Sequence, residues 1–138
     1  MRLQLLFVPA LLLAAAPLWA HHGGTGFDPK KPVHLIGKVT MVDWVNPHVV
    51  IHLEAPGPDG KVAIWLVNTF PPNAGKRQGY STSTFVPGTE LTIDGYQALD
   101  GSTHVNGVTI VFKDGQKIVG TDCFAPGAQC FVPVGNRN

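Results

Sequence analysis

Short apolar stretches separated by turn-forming residues run through most of the chain after residue 32, and this pattern most constrains the fold. Residues 48–54 show it best, because Val49, Ile51 and Leu53 alternate with other residues, as in a strand with one buried face. The stretches at 33–45, 62–67, 89–98, 105–112 and 117–120 are also rich in strand-forming residues. Glycine, proline and aspartate lie between several of them, as in reverse turns. The pattern predicts five or six strands.

One short helix completes the predicted set of elements. It covers residues 73–78, where Asn73 would cap the start and Gly79 would end the helix. A helix between the third and fourth strands is typical of the oligonucleotide/oligosaccharide-binding (OB) barrel. We therefore expect an all-β fold, a small five- to six-stranded OB-like barrel with one short helix. A β-sandwich is the alternative, because the spacing of turns does not separate the two architectures.

The first twenty residues are typical of a secretory signal peptide. Arg2 precedes the apolar residues 3–18, and Ala20 provides a small residue before a cleavage site. The apolar stretch is shorter than the roughly 20 residues of a membrane-spanning helix. We expect cleavage between Ala20 and His21. The mature protein would then be periplasmic or secreted, without a stable membrane anchor.

Removal of residues 1–20 would leave one small domain. We expect a flexible segment at 21–31, the barrel at 32–121 and a tail at 122–138. The whole chain has 10 Lys+Arg and 9 Asp+Glu, and loss of Arg2 makes the mature chain formally neutral. That balance argues against a nucleic-acid binder. Cys123 and Cys130 are the only cysteines, and in an oxidising compartment they predict one local disulfide.

A series of short motifs runs along the mature chain. They are His21-His22, Phe27-Asp28, Lys31-Pro32, Gly37-Lys38-Val39, Trp44-Val45-Asn46-Pro47-His48, Pro72-Asn73, Arg77-Gln78-Gly79-Tyr80-Ser81, Pro87-Gly88-Thr89-Glu90-Leu91 and Leu99-Asp100-Gly101-Ser102. Together they resemble a family of small secreted bacterial proteins that is classed as a domain of unknown function. One departure is Asn68, where the family often has glutamate. The resemblance implies a secreted β domain and no established reaction.

Cleavage before His21 would create a group that chelates metals. The free α-amine and the ring nitrogen of His21 can hold one ion together, and neutral imidazole is a common ligand of copper and zinc. His22 and His48 are the further candidate ligands, and His48 follows the rigid Pro47. Cu(II) is the expected metal. Alternatively, His48 bonds to the backbone at its turn, and the histidine pair beside Gly23-Gly24 is an unstructured tail.

Three aromatic residues, Trp44, Trp65 and Tyr80, are candidate ligand-binding residues. Aromatic residues in strands more often belong to the core. The sequence has no nucleophile elbow and no phosphate-binding loop, so it favours a protein that is not an enzyme. Two functions remain open. One is metal binding, and the other is a non-catalytic interaction module for a small molecule, a glycan or a protein partner.

Overall fold

The computed structural model describes residues 26–120. Six strands and one helix follow in the order β1 (Phe27–Trp44), β2 (Val49–Pro56), β3 (Val62–Asn68), α1 (Pro72–Arg77), β4 (Glu90–Ala98), β5 (His104–Phe112) and β6 (Lys117–Val119). The helix lies between the third and fourth strands, as the sequence predicts. The all-β fold class is confirmed.

The strands close into a ring. Neighbouring strands follow the order β3-β2-β1-β4-β5-β6 across the sheet. An additional pairing between β3 and β5 closes the ring. The β3–β5 contact is parallel, whereas the other strand pairs are antiparallel. Strands β1 to β5 therefore form a barrel. Strand β6 pairs with the same edge of β5 as β3 does, but farther along β5. The ring of pairs favours the barrel over the sandwich.

The apolar side chains that alternate along the strands fill the interior of the barrel. Val49, Ile51 and Leu53 of β2 are fully buried, while the residues between them are partly exposed. The same period places apolar side chains from every strand into one core. The members of this core are Val33, Leu35, Val39, Val49, Ile51, Leu53, Ala55, Trp65, Val67, Phe70, Phe85, Leu91, Ile93, Val105, Ile110 and Ile118.

The two ends of the barrel differ. At one end, which we call the helix end, α1 packs close to Phe70 and Trp44, and Gly75 leaves no room there for a side chain. At the other end, which we call the turn end, lie the β2–β3 turn at residues 57–61 and the β4–β5 turn at residues 99–103. The positions of the candidate site residues can therefore be described by the end of the barrel at which they lie.

Two boundaries differ from the predicted ones. Strand β1 begins at Phe27 rather than at residue 33, because Phe27 pairs with Ala98 at the end of β4. Residues 27–31 thus lie in a strand, although the sequence predicted a flexible segment there. The helix starts at Pro72 without a side-chain cap, so the prediction that Asn73 caps it was wrong. Proline suits a first helical turn, whose N–H groups lack partners in any case.

Gly95 marks an irregularity in the sheet. The β4–β5 register shifts between Asp94 and Gly95, leaving Val108 as an extra residue on β5. A Cβ atom at Gly95 would collide with the carbonyl oxygen of Asn106. Such a bulge bends the strand and raises its twist. It therefore helps β4 and β5 to curve around the core.

Candidate functional site

Three of the predicted site residues gather at the helix end around Phe70. Trp44 meets the Phe70 ring edge-on with centroids 6.1 Å apart, and Tyr80 stacks on it at 5.7 Å. His48 precedes Val49, whose N–H donates to the carbonyl oxygen of Phe70 at 2.9 Å. The fold therefore brings together motifs that lie far apart in the sequence. Trp44 and Tyr80 are half-buried and pack against the core.

His48 is buried at this end of the barrel. Its exposed fraction is 8%, and burial lowers its pKa from the ordinary value. A lowered pKa favours the neutral imidazole at neutral pH. The neutral ring suits a buried structural role as well as metal ligation.

Trp65 lies away from these residues, towards the turn end. Its ring is so close to Gly57 of the β2–β3 turn that a Cβ atom there would lie 2.7 Å from it. Trp65 is 3% exposed, and its indole Nε1 has no hydrogen-bond partner among residues 26–120. Trp65 is thus separated from Trp44 and Tyr80, and the three aromatic residues do not form one face.

A groove of about 460 Å³ runs beside Trp65 at the turn end. Val62 and Ala63 of β3 line it on one side, and Gln97 and Thr103 line it on the other. The Gln97 side chain donates to the carbonyl oxygens of Gly101 and Ser102, both at 3.0 Å. These bonds fix the β4–β5 turn, so that one wall of the groove is held in place.

A row of paired residues crosses the outer surface of the barrel. His52 of β2 pairs with Leu66 of β3, and Leu66 pairs with His104 of β5. Their neighbours Trp65 and Val67 point into the core, so these three side chains face outward. We call His52 and His104 the outer histidine pair. The sequence did not predict this pair as a site.

The two members of the pair have different surroundings. His52 Nε2 lies 2.8 Å from Asp43 Oδ2, and the His52 side chain is 18% exposed. His104 Nδ1 is buried and has no hydrogen-bond partner in the part of the chain that the structure describes. Burial lowers the pKa of His104, the nearby His52 lowers it further, and the carboxylate of Asp100 opposes both. His104 therefore favours the neutral form in which imidazole binds metals.

His34 makes a separate contact on another part of the surface. Its Nδ1 lies 2.6 Å from Asp94 Oδ1, and both side chains are more than half exposed. The pair borders a groove of about 380 Å³ that Tyr96, Val108 and other residues line. Exposed ion pairs of this kind contribute little to stability.

Several predicted residues lie outside the described part of the chain. They are His21, His22, Cys123 and Cys130, so the N-terminal chelate and the disulfide stay predictions. Within residues 26–120, no group of three or more His, Cys, Asp or Glu side chains could hold a metal ion. The same range contains no helix with the length and apolar character needed to cross a membrane.

Residues 10–108 match the model of a family of unknown function, DUF6152. The chain belongs to this family. The match extends from residue 10 to the middle of β5 and leaves β6 and residues 121–138 outside it. No curated protein and no solved structure matches the chain. The family assigns no reaction, so the function has to be argued from the residues.

Proposed function

We propose that the mature protein is an exported, non-catalytic metal-binding domain of the periplasm, or a secreted one, that holds Cu(II) through His21 and His22. Cleavage between Ala20 and His21 would free the amine of His21, and the amine and ring together form a chelate. Nitrogen ligands in a planar arrangement suit Cu(II).

One observation carries this proposal. The N–H of Leu99 donates to the carbonyl oxygen of Gly26 at 2.8 Å, which fastens the chain to the barrel just after residues 21–25. A chelate on a fastened chain loses less conformational entropy on closing than one on a long free tail.

The chelate depends on a free N-terminus, which gives a direct test. The exported protein is purified, its first residue is established by intact mass, and Cu(II) and Zn(II) are titrated by calorimetry. We expect tight Cu(II) binding that is lost in His21→Ala and in a protein with one extra residue before His21. Weak binding that neither change affects would refute the proposal.

The groove beside Trp65 supports a second candidate function, an interaction module. Trp65 lines it together with Val62, Gln97 and Thr103. The mixed apolar and polar walls are typical of sites for small ligands, and a glycan is the occupant we would test.

Tryptophan fluorescence tests this second candidate. The mature chain would contain Trp44 and Trp65, so Trp44→Phe leaves Trp65 as the only tryptophan. We expect hexasaccharides such as chitohexaose to shift its emission, and Gln97→Ala to weaken the shift. Tyr80→Phe, at the helix end, is the matched control. An emission spectrum that stays unchanged across the hexasaccharides would argue against a glycan in this groove.

A further inference from the structure

We propose that the groove beside the β4–β5 bulge binds a small organic cation, a primary ammonium group carried on an aliphatic chain. Asp94 and His34 would accept the hydrogen bonds of the ammonium group, while Tyr96 and Val108 would contact the chain. We call this groove, whose volume is about 380 Å³, the bulge groove. Residues of β1, β4 and β5 line it, and the inference is independent of the proposed Cu(II) site.

Strand pairing places three polar side chains of the bulge groove in one row. His34 of β1 pairs with Asp94 of β4, and Asp94 pairs with Thr109 of β5. An adjacent residue on each of these strands is buried in the core, so alternation turns the three polar side chains outward. All three line the groove. The carboxylate of Asp94 therefore lies at the centre of the row.

The hydrogen bond between His34 and Asp94 determines what the row offers to a ligand. His34 Nδ1 lies 2.6 Å from Asp94 Oδ1. Because a carboxylate only accepts hydrogen bonds, Nδ1 carries the proton, and Nε2 of the neutral ring is an acceptor. Within residues 26–120, neither Nε2 nor Asp94 Oδ2 has a hydrogen-bond partner. The groove thus presents two acceptors and a negative charge to a ligand that carries N–H donors.

The bulge supplies apolar walls on both sides of this row. Val108 is the extra residue of the bulge, and it lines the groove together with Pro32, Val33 and Gly95. Walls of this kind favour an aliphatic chain, because burial of its surface removes it from water. Bulges are over-represented next to active sites, where they redirect a side chain. The apolar walls and the acceptors together match the two parts of an aliphatic amine.

Tyr96 provides an aromatic wall close to the carboxylate. It lies two residues after Asp94 on the same face of β4, which separates the two backbone positions by about 7 Å. The side chain packs against Phe27 and Ala98, so it is positioned before a ligand binds. A cation within about 6 Å of a tyrosine ring is attracted to its face. An ammonium group beside Asp94 would therefore have the ring within reach.

Other classes of ligand fit the bulge groove less well. No Lys or Arg side chain lines it, and the carboxylate of Asp94 would repel an anion. One imidazole and one carboxylate are too few for a stable metal site, and no group of three or more potential metal ligands occurs in residues 26–120. The largely apolar walls would leave many hydroxyl groups of a sugar without partners. An aliphatic ammonium ion is the class that remains.

Three ligands that share one chain test the role of charge. Hexylamine, 1-hexanol and hexanoate are each titrated into the isotope-labelled exported protein, with a chelator present to remove metals. We expect hexylamine to shift the amide NMR signals of Gly95, Val108 and Thr109. It should bind at least about tenfold more tightly than the alcohol or the carboxylate, because hydrogen bonds to charged groups are the stronger ones.

Two substitutions of equal charge test the assignment to Asp94. Asp94→Asn removes the negative charge and keeps the shape, so we expect about tenfold weaker binding of hexylamine and unchanged binding of 1-hexanol. Glu54→Gln is the matched control, because it removes an exposed carboxylate from β2, and it should bind hexylamine as the wild type does. Circular dichroism first establishes that both variants are folded.

The ring nitrogens of His34 give a measurement on the wild type. Hexylamine should shift the NMR signal of His34 Nε2, which becomes a hydrogen-bond acceptor, while the ring signals of His52, whose Nε2 is bonded to Asp43, stay unchanged. Equal affinity for the three ligands would overturn the proposal. Unchanged affinity of Asp94→Asn for hexylamine, or a failure of hexylamine to bind, would overturn it as well.

Discussion

At the scale of single residues, the burial of His48 couples the stability of the barrel to pH. Burial lowers its pKa from 6.5 in the folded state, so the unfolded chain takes up a proton at a higher pH than the folded barrel does. The free energy of unfolding therefore falls as pH drops below about 6.5. His104, whose pKa is also lowered by burial, acts in the same direction.

We expect the urea midpoint to decrease between about pH 7.5 and pH 5.5 in metal-free protein. The decrease should be shallower in His48→Gln, which has no ring to protonate. Carboxylate groups titrate at lower pH and contribute little in this window. Parallel pH profiles for the two proteins would contradict the prediction.

The histidines also show what the sequence can and cannot predict. Alternation predicts the face of the strand on which a side chain lies. It correctly predicts that Val49, Ile51 and Leu53 share the buried face. Which residues of β3 and β5 become neighbours depends on the pairing of these two strands that closes the barrel. This pairing leaves no periodic pattern in the sequence of either strand. For this reason the sequence could single out His48 beside its turn, whereas the pairing of His104 with Leu66 needed the structure.

At the scale of elements, one edge of β3 is only partly paired with another strand. Residues 66–68 pair with β5, whereas residues 62–65 have no partner on that side within the described chain. Val62 and Ile64 are 68% and 41% exposed there. Open strand edges with apolar side chains promote association between copies of a protein.

A charge at this edge should therefore reduce aggregation. We expect Ile64→Lys to lower concentration-dependent light scattering while changing the free energy of unfolding by less than about 1 kcal/mol. Ile36→Lys is the matched control, because Ile36 is 61% exposed in a strand that has neighbours on both sides. Equal scattering by the two variants would show that the edge has no special role.

At the scale of the whole molecule, all six strands contribute to one core. A single core predicts cooperative unfolding. Trp65 reports on the turn end of this core and Trp44 on the helix end, so their fluorescence should change at the same urea concentration as far-ultraviolet circular dichroism. Separate midpoints for Trp44→Phe and Trp65→Phe proteins would indicate that the helix end unfolds independently.

The barrel as a whole was more predictable than its site. Turn residues and alternation predict five or six strands in the observed order along the chain, and the short helix between the third and fourth strands predicts the OB-like arrangement. The start of β1 was harder to predict from the sequence, because Phe27 pairs with Ala98, which lies more than seventy positions away in the chain. Contacts of that kind depend on the closed ring and have no local pattern.

The ring closes through three residue pairs between β3 and β5, and this short seam has a dynamic consequence. The amide of Leu66 donates to the carbonyl oxygen of Thr103 at 2.8 Å, so its hydrogen can exchange with solvent only when the seam opens. The rate of that exchange measures how often the barrel opens.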